Sequence, residues 1–392
     1  MLFRSQVDAQ GEIRSYEFVE ATIRSAARLT YDEVNLRIQN PHKDSGAPED
    51  PIQRNLLQLA DLTERLYARR IAAGGVDFSF PEVRYDYQPD GWLKSFWAVD
   101  RSLSTRVVEE CMLIANICAA QALSEHFPQA MYRVHEPPDR DAVTELGQVL
   151  RLFGIRLAPR EAPEAKDFAA ALVAMREQPV PYDALQALVL RCMKQARYSS
   201  RQLPHFALGF EHYTHFTSPI RRYPDLVVHR LLKTALGIGA KTAQAAAGLS
   251  LDELAAHCSQ TERQAEEAGR EIAAKLKAEF MGRHIGERFA GTVSGVTAFG
   301  VFVALTEFPV DGLVHISELA DDYFDFDARL MRLTGRRTAE QIKVGDGMQV
   351  TVAAVNVEEG KIDLVRVRPK DDQSVSPVQS SRRSRDKKLR KK

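Results

Sequence analysis

Between Pro204 and Leu232 the chain reads PHFALGFEHYTHFTSPIRRYPDLVVHRLL, a stretch that interleaves five aromatic rings with histidines and with Arg221, Arg222 and Arg230. Guanidinium groups pair with phosphates and rings stack on bases, so this mixture suits a single nucleic-acid strand. Tyr213 and His215 are candidate contacts, and Arg221 and Arg222, near helix-start amides, make a candidate anion site. A buried helix with solvated arginines at its rim is the plainer reading, and composition alone does not separate the two. His212-x-x-His215 offers two ligands of a zinc site, but no cysteine or carboxylate completes four.

The elements that position these residues are legible from their ends. Tyr223-Pro224-Asp225 reads as a helix start, with proline in the first turn and an acid at the positive end of the dipole. Val228, Leu231, Leu232 and Ala235 then fall on one face, leaving the Ser218–Arg222 turn open. Upstream, 3–7 and 13–23 alternate around Asp8-Ala-Gln-Gly11 like a hairpin. Thr30-x-x-Glu33 is a capping box for a helix to about residue 38. A loop spans Asn40 to Asp50, and Asp50-Pro51 opens a helix ending at Gly74-Gly75. Extended pieces rich in rings follow over 76–99, including Phe78, Phe80, Trp92 and Trp97. Helices are predicted over 104–126, 139–153, 164–177 and 182–197, the first burying Val107, Cys111, Ile114 and Cys118. Ser250-x-x-Glu253 caps a long charged helix towards Met281.

After Gly286 the texture changes to glycines and five strands, 289–296, 300–305, 312–316, 348–357 and 361–367, the number of an OB barrel. Alternation sets Val301 and Val303 opposite Phe302, which points Phe302 outward unless it is plain core filling. The acidic run Asp321-Asp322-Tyr-Phe-Asp325-Phe-Asp327 reads as a solvated loop.

The chain has 392 residues, 44% of them hydrophobic, enough for two domains and a sizeable core. Net charge is zero, yet residues 381–392 hold eight basic residues against Asp386, a tail suited to a polyanion. Four cysteines stand singly, so buried free thiols are expected and neither a disulfide frame nor a zinc site. No apolar run reaches the ~18 residues of a membrane span and no signal-peptide pattern opens the chain, so a soluble cytoplasmic protein is expected; it is expected to be monomeric.

Tyr213-Thr-His-Phe-Thr-Ser-Pro-Ile-Arg-Arg-Tyr-Pro-Asp-Leu-Val-Val-His-Arg-Leu closely resembles the signature of the ribonuclease II / ribonuclease R (RNB) exoribonuclease family. Gly291-Thr-Val-Ser-Gly-Val-Thr-Ala-Phe-Gly-Val-Phe-Val and Asp311-Gly-Leu-Val-His-Ile-Ser-Glu-Leu319 are similar to the ribosomal S1-type RNA-binding domain. The resemblance implies an α+β fold: part of an RNB-type catalytic domain, helix-rich with a mixed sheet, over 1–283; an S1-type OB barrel over 284–368; and a basic disordered tail over 369–392. It implies processive 3′-to-5′ hydrolysis of RNA to nucleoside 5′-monophosphates with Mg²⁺, acting on single-stranded 3′ ends or structured RNA. The alternative is a non-catalytic RNA-binding protein that keeps the clamp.

By the same resemblance, Arg221 holds a phosphate beside the scissile bond. Tyr31, in Ala27-Arg28-Leu29-Thr30-Tyr31, lies near that phosphate; Glu109 contacts the last nucleotide; Phe78 stacks on terminal bases; and Phe299, Phe302 and His315 stack on RNA at the barrel. Tyr31 and Phe78 have a plainer reading as core aromatics, and Glu109 as a helix-dipole acid. Tyr31, Glu109 and Arg221 are expected to converge on one cavity. The aspartate cluster that holds two Mg²⁺ ions in the family does not precede Tyr31, so the chain is expected to be a fragment inactive alone.

Overall fold

The computed structural model describes residues 1–40, 50–157, 162–238, 250–328 and 330–368. Most of the 40–50 loop and the basic tail lie outside the described residues.

A hairpin of β1 (Leu2–Val7) and β2 (Ile13–Val19) opens the chain. Its turn is fixed by Asp8, whose carboxylate accepts the N–H groups of Gln10 and Glu12 at 2.9 Å, with Gly11 at φ 77°. The strand stops at Val19, short of the predicted Ile23, which is 75% exposed. Next come α1 (Tyr31–Gln39) and α2 (Pro51–Ala72), both capped as their sequences predict. Thr30 and Glu33 exchange hydrogen bonds, and Asp50 accepts from Ile52 N–H at 3.0 Å.

A second hairpin, β3 (Glu82–Tyr87) and β4 (Leu93–Val99), leads into α3 (Leu103–His126). Then follow β5 (Tyr132–Val134), α4 (Arg140–Leu152), α5 (Ala165–Glu177), α6 (Tyr182–Cys192), β6 (Arg197–Ser199), α7 (Tyr223–Ala235) and α8 (Leu251–Met281). The mixed sheet expected in this half is instead three separate antiparallel pairs, β1–β2, β3–β4 and β5–β6. The first and third pairs pack into a core of helices, and the second packs against a helix and the strands of the second half. Among the described residues, α3 is long and apolar enough to span a membrane, yet it threads a core in which Cys118, Ala119, Ala120 and Leu123 are wholly buried. Of the cysteines, Cys118 and Cys258 are buried, but Cys111 is exposed and Cys192 half-buried. Along α3 the inward place near Cys111 belongs to Glu110, which is paired with Arg70 at 2.7 Å.

The second half is β7 (Arg288–Thr297), β8 (Gly300–Leu305), β9 (Asp311–His315), β10 (Phe324–Asp327), β11 (Arg332–Gly335), β12 (Gln341–Lys343), β13 (Gly347–Asn356) and β14 (Lys361–Arg366). Five of these close a barrel in the order β13-β14-β9-β8-β7, with only β14 and β9 parallel. The acidic run is not a loop: β10 to β12 form a three-stranded antiparallel sheet inserted between β9 and β13. Asp322 nucleates it, accepting from the N–H groups of Arg337 at 3.0 Å and Thr338 at 2.8 Å and from the Thr338 hydroxyl at 2.6 Å. The Thr338 hydroxyl and these N–H groups hold its carboxyl down at about 2.

One core joins the halves. Leu93 and Phe96 of the second hairpin and Ala278, Phe280 and Met281 of α8 pack with the barrel interior. Phe96, 2% exposed, meets Phe280 edge-on at 5.1 Å. Burying such a ring contributes roughly 1.5–3 kcal/mol.

Candidate RNA-contacting surfaces

Asp225 organises the arginine turn. Fully buried, it accepts Ser218 N–H at 2.7 Å and takes the Arg222 guanidinium in a fork at 2.7 and 2.8 Å. This acid at i+3 therefore consumes Arg222, which ties the turn together rather than offering itself to a strand. Arg221 is left exposed and lines a cavity of about 560 Å³ with Tyr198, Arg222, Tyr223, Glu262 and Glu266.

Two other residues expected to touch RNA are engaged inside the protein. Tyr213 is 5% exposed and its hydroxyl accepts from Asn116 Nδ2 at 3.1 Å. His215 is hydrogen-bonded through Nδ1 to the Tyr198 hydroxyl at 2.8 Å. Aromatic composition cannot distinguish a base-stacking ring from one filling a core, and here the rings hold the turn from behind.

Burial drives the His215 pKa down to about 2, helped by Arg222 and Arg133, and that of His205 to about 3, helped by His135 and Arg133. Both are neutral when folded, whereas the unfolded chain protonates them near 6.5. Their contribution is intact above pH 6.5 and is lost as pH falls towards 3 and then 2. Melting followed from pH 7.5 to pH 5 is expected to show falling stability, with a shallower slope in His215→Gln. Equal slopes would refute this.

Tyr31 and Glu109 do meet. With Asn35, Phe80, Arg84 and Arg101 they line a cavity of about 340 Å³. Asn35 ties α1 to the start of α3 by accepting Ser104 N–H at 3.1 Å. Arg101 bridges Asp77 at 2.8 Å and Glu109 at 3.7 Å, orienting the glutamate. Phe78 packs against the α4–α6 core and stacks at 6.1 Å on Phe80, and Phe80 is the ring that reaches the cavity. Sequence reasoning missed Phe80, Asp77 and Arg101; the i, i+2 spacing of Phe78 and Phe80 was the available signal. The expectation that all three catalytic candidates share one cavity is not met. The Asp225 clamp sets Arg221 against α8, whereas Tyr31 and Glu109 sit at the starts of α1 and α3.

Among the described residues no group of three or more His, Cys, Asp or Glu side chains is placed to hold a metal ion. The acids of the Tyr31 cavity are interspersed with Arg84 and Arg101, and Glu109 is already committed to a cation. These residues do not fit a two-metal site, and no step is derived through one.

On the barrel, Val301 and Val303 are wholly buried while Phe302 between them is 37% exposed, as alternation requires. Phe299, 50% exposed, stands edge-on to it at 6.2 Å. His315 is exposed, its Nδ1 bonded to Ser317 Oγ at 2.9 Å. Gly300 lies across from His315, and a Cβ there would come within 2.3 Å of the Val314 carbonyl oxygen, so only glycine lets the two strands close. The result is two rings and an imidazole on one open face.

These surfaces have counterparts in known proteins. The RNB domain model matches residues 1–238, and the S1 RNA binding domain model matches 284–366. The chain is 37% identical over 372 residues to Ribonuclease R of Escherichia coli (strain K12), covering 93% of this chain and 46% of that protein. It is 37% identical over 362 residues to Ribonuclease R of Aquifex aeolicus (strain VF5), covering 91% and 50%. Mycoplasma genitalium RNase R, solved in complex with ribose methylated single-stranded RNA, superposes with TM-score 0.83 at 28% identity, covering 93% of this chain and 57% of that one. The chain thus spans about half the length of the curated relatives it matches. A match over more than half of its residues, followed in order by the S1 match, makes this chain a member of the RNB domain family.

Proposed function

We propose that this chain supplies the RNA-gripping part of a 3′-to-5′ exoribonuclease of the ribonuclease R type, acting in the cytoplasm. Such an enzyme hydrolyses RNA processively to nucleoside 5′-monophosphates, and a bound Mg²⁺ would lower the pKa of the attacking water there. The observation that carries the reading is the open face of Phe299, Phe302 and His315 behind an RNB domain. Rings of this kind stack on any base, which suits processive, sequence-tolerant binding. Arg221 grips a phosphate, Tyr31 and Glu109 receive the terminal nucleotide, and the barrel feeds the strand. Relatives named Ribonuclease R favour this over a non-catalytic RNA-binding protein.

Binding of a labelled single-stranded RNA at graded salt tests the reading. Affinity is expected to fall linearly on log axes, with a slope of about −0.7 per phosphate neutralised. Failure to bind single-stranded RNA at low salt would overturn it.

A further inference from the structure

The first hairpin, α2 and α3 enclose a cavity of about 630 Å³, and none of the residues assigned to RNA above lines it. Its walls are largely apolar, built from Leu66 of α2, Leu113, Ile114 and Ile117 of α3, and the rings of Tyr16 and Phe210. The volume falls within the ~300–1,000 Å³ usual for small-molecule sites.

An acid stands in this apolar setting with half of its carboxylate unused. The side chains of Arg70 and Glu110 are only 5% and 3% exposed. Arg70 donates to Glu110 from Nε at 3.1 Å and from Nη2 at 2.7 Å, and both bonds end on Oε1. Glu110 Oε2 is bonded to no described residue and is not sealed inside the core, so it opens into the cavity that Glu110 lines. A carboxylate oxygen held this far from water favours any donor that can reach it. The Tyr16 hydroxyl also lines the cavity without a partner among the described residues. Burial, helped by the charge of Glu125, raises its pKa to about 12, so it stands there as a neutral donor.

The rim has no charge left for a phosphate. Arg14 pairs with Asp8 at 2.5 Å and with Glu12 at 3.2 Å. Arg69 donates to the Gly11 carbonyl at 2.8 Å and pairs with Glu12 at 3.4 Å. Each guanidinium that lines the cavity is therefore occupied, and what remains is apolar surface, one acceptor and one donor. A ligand that meets all three carries a donor and an acceptor on a compact apolar frame and bears no net charge.

We propose that this cavity binds a small uncharged N–H heterocycle of the purine-base type, free in solution and not part of a nucleic-acid strand. Its ring N–H donates to Glu110 Oε2, a ring acceptor takes the Tyr16 hydroxyl, and its faces lie against the aliphatic walls.

Theophylline and caffeine are the probes, because caffeine carries a methyl group in place of theophylline's only ring N–H. Isothermal titration calorimetry of the whole chain near pH 7 is expected to show theophylline binding at least tenfold more tightly than caffeine, the worth of one hydrogen bond to a charged acceptor. Ile117→Trp, which fills the cavity, is expected to abolish theophylline binding with the far-UV circular dichroism unchanged. Removing Glu110 alone would strand Arg70, so the acid is removed as the pair Arg70→Met with Glu110→Leu, which leaves no lone charge. That protein is expected to bind the two xanthines alike. No binding of theophylline, equal affinity of the parent for both xanthines, or a preference that survives in the paired variant would overturn the proposal. Displacement of theophylline by an oligouridylate would also overturn it, because a strand would then be the occupant.

Discussion

Replacing Asp225 with alanine is expected to cost the fold about 3–5 kcal/mol, the usual cost of removing one partner from a buried ion pair. The carboxylate has no exposed surface, and three hydrogen bonds end on it. Without it, the Arg222 side chain, only 18% exposed, is left with an uncompensated charge, and Ser218 N–H loses its acceptor. Chemical denaturation followed by far-UV circular dichroism should show a midpoint well below that of the parent. Changing Arg222 to methionine together with Asp225→Leu should recover part of the loss, since no charge is then stranded. An Asp225→Ala protein as stable as the parent would mean that the clamp is not what shapes this turn.

The double change Phe299→Ala and Phe302→Ala is expected to act on affinity and hardly at all on stability. Each ring stacked on a base is worth about 1–3 kcal/mol, so losing both should weaken single-stranded RNA binding at least tenfold. Because the rings are 50% and 37% exposed, their removal leaves no core cavity. Fluorescence anisotropy measures the first effect and thermal melting the second. Unchanged affinity would show that RNA binds elsewhere, and a large melting shift would show that the rings fill a core.

Much of this architecture was legible because its signals are local. Both capping boxes, the Asp50-Pro51 start and the alternation that turns Phe302 outward work within four residues, and each holds. The five barrel strands were marked by glycines and β-branched runs. The inserted sheet was not, because β10 to β12 span only three or four residues each and depend on Asp322 reaching Arg337 and Thr338. In the same way β5 and β6, three residues each, carry no period to detect.

At the candidate site, sequence identified the right neighbourhood and mixed two kinds of residue. Arg221 is exposed, and Tyr31 and Glu109 share a cavity, whereas Tyr213, His215 and Arg222 hold the turn from within. Distinguishing the two kinds requires knowing what lies behind each side chain, and the Arg222–Asp225 spacing was the only such clue in the sequence. The exposure of Cys111 has a similar origin, since a buried Arg70–Glu110 pair on two different helices is invisible to periodicity.

In the proposed function these residues grip RNA, while among the described residues no group of side chains is arranged to hold a metal ion. The most direct test is to incubate this chain with Mg²⁺ and an end-labelled single-stranded RNA at a protein concentration that binds all of it, then to resolve the products. Bound RNA of unchanged length is the expected result. Release of nucleoside 5′-monophosphates would contradict it.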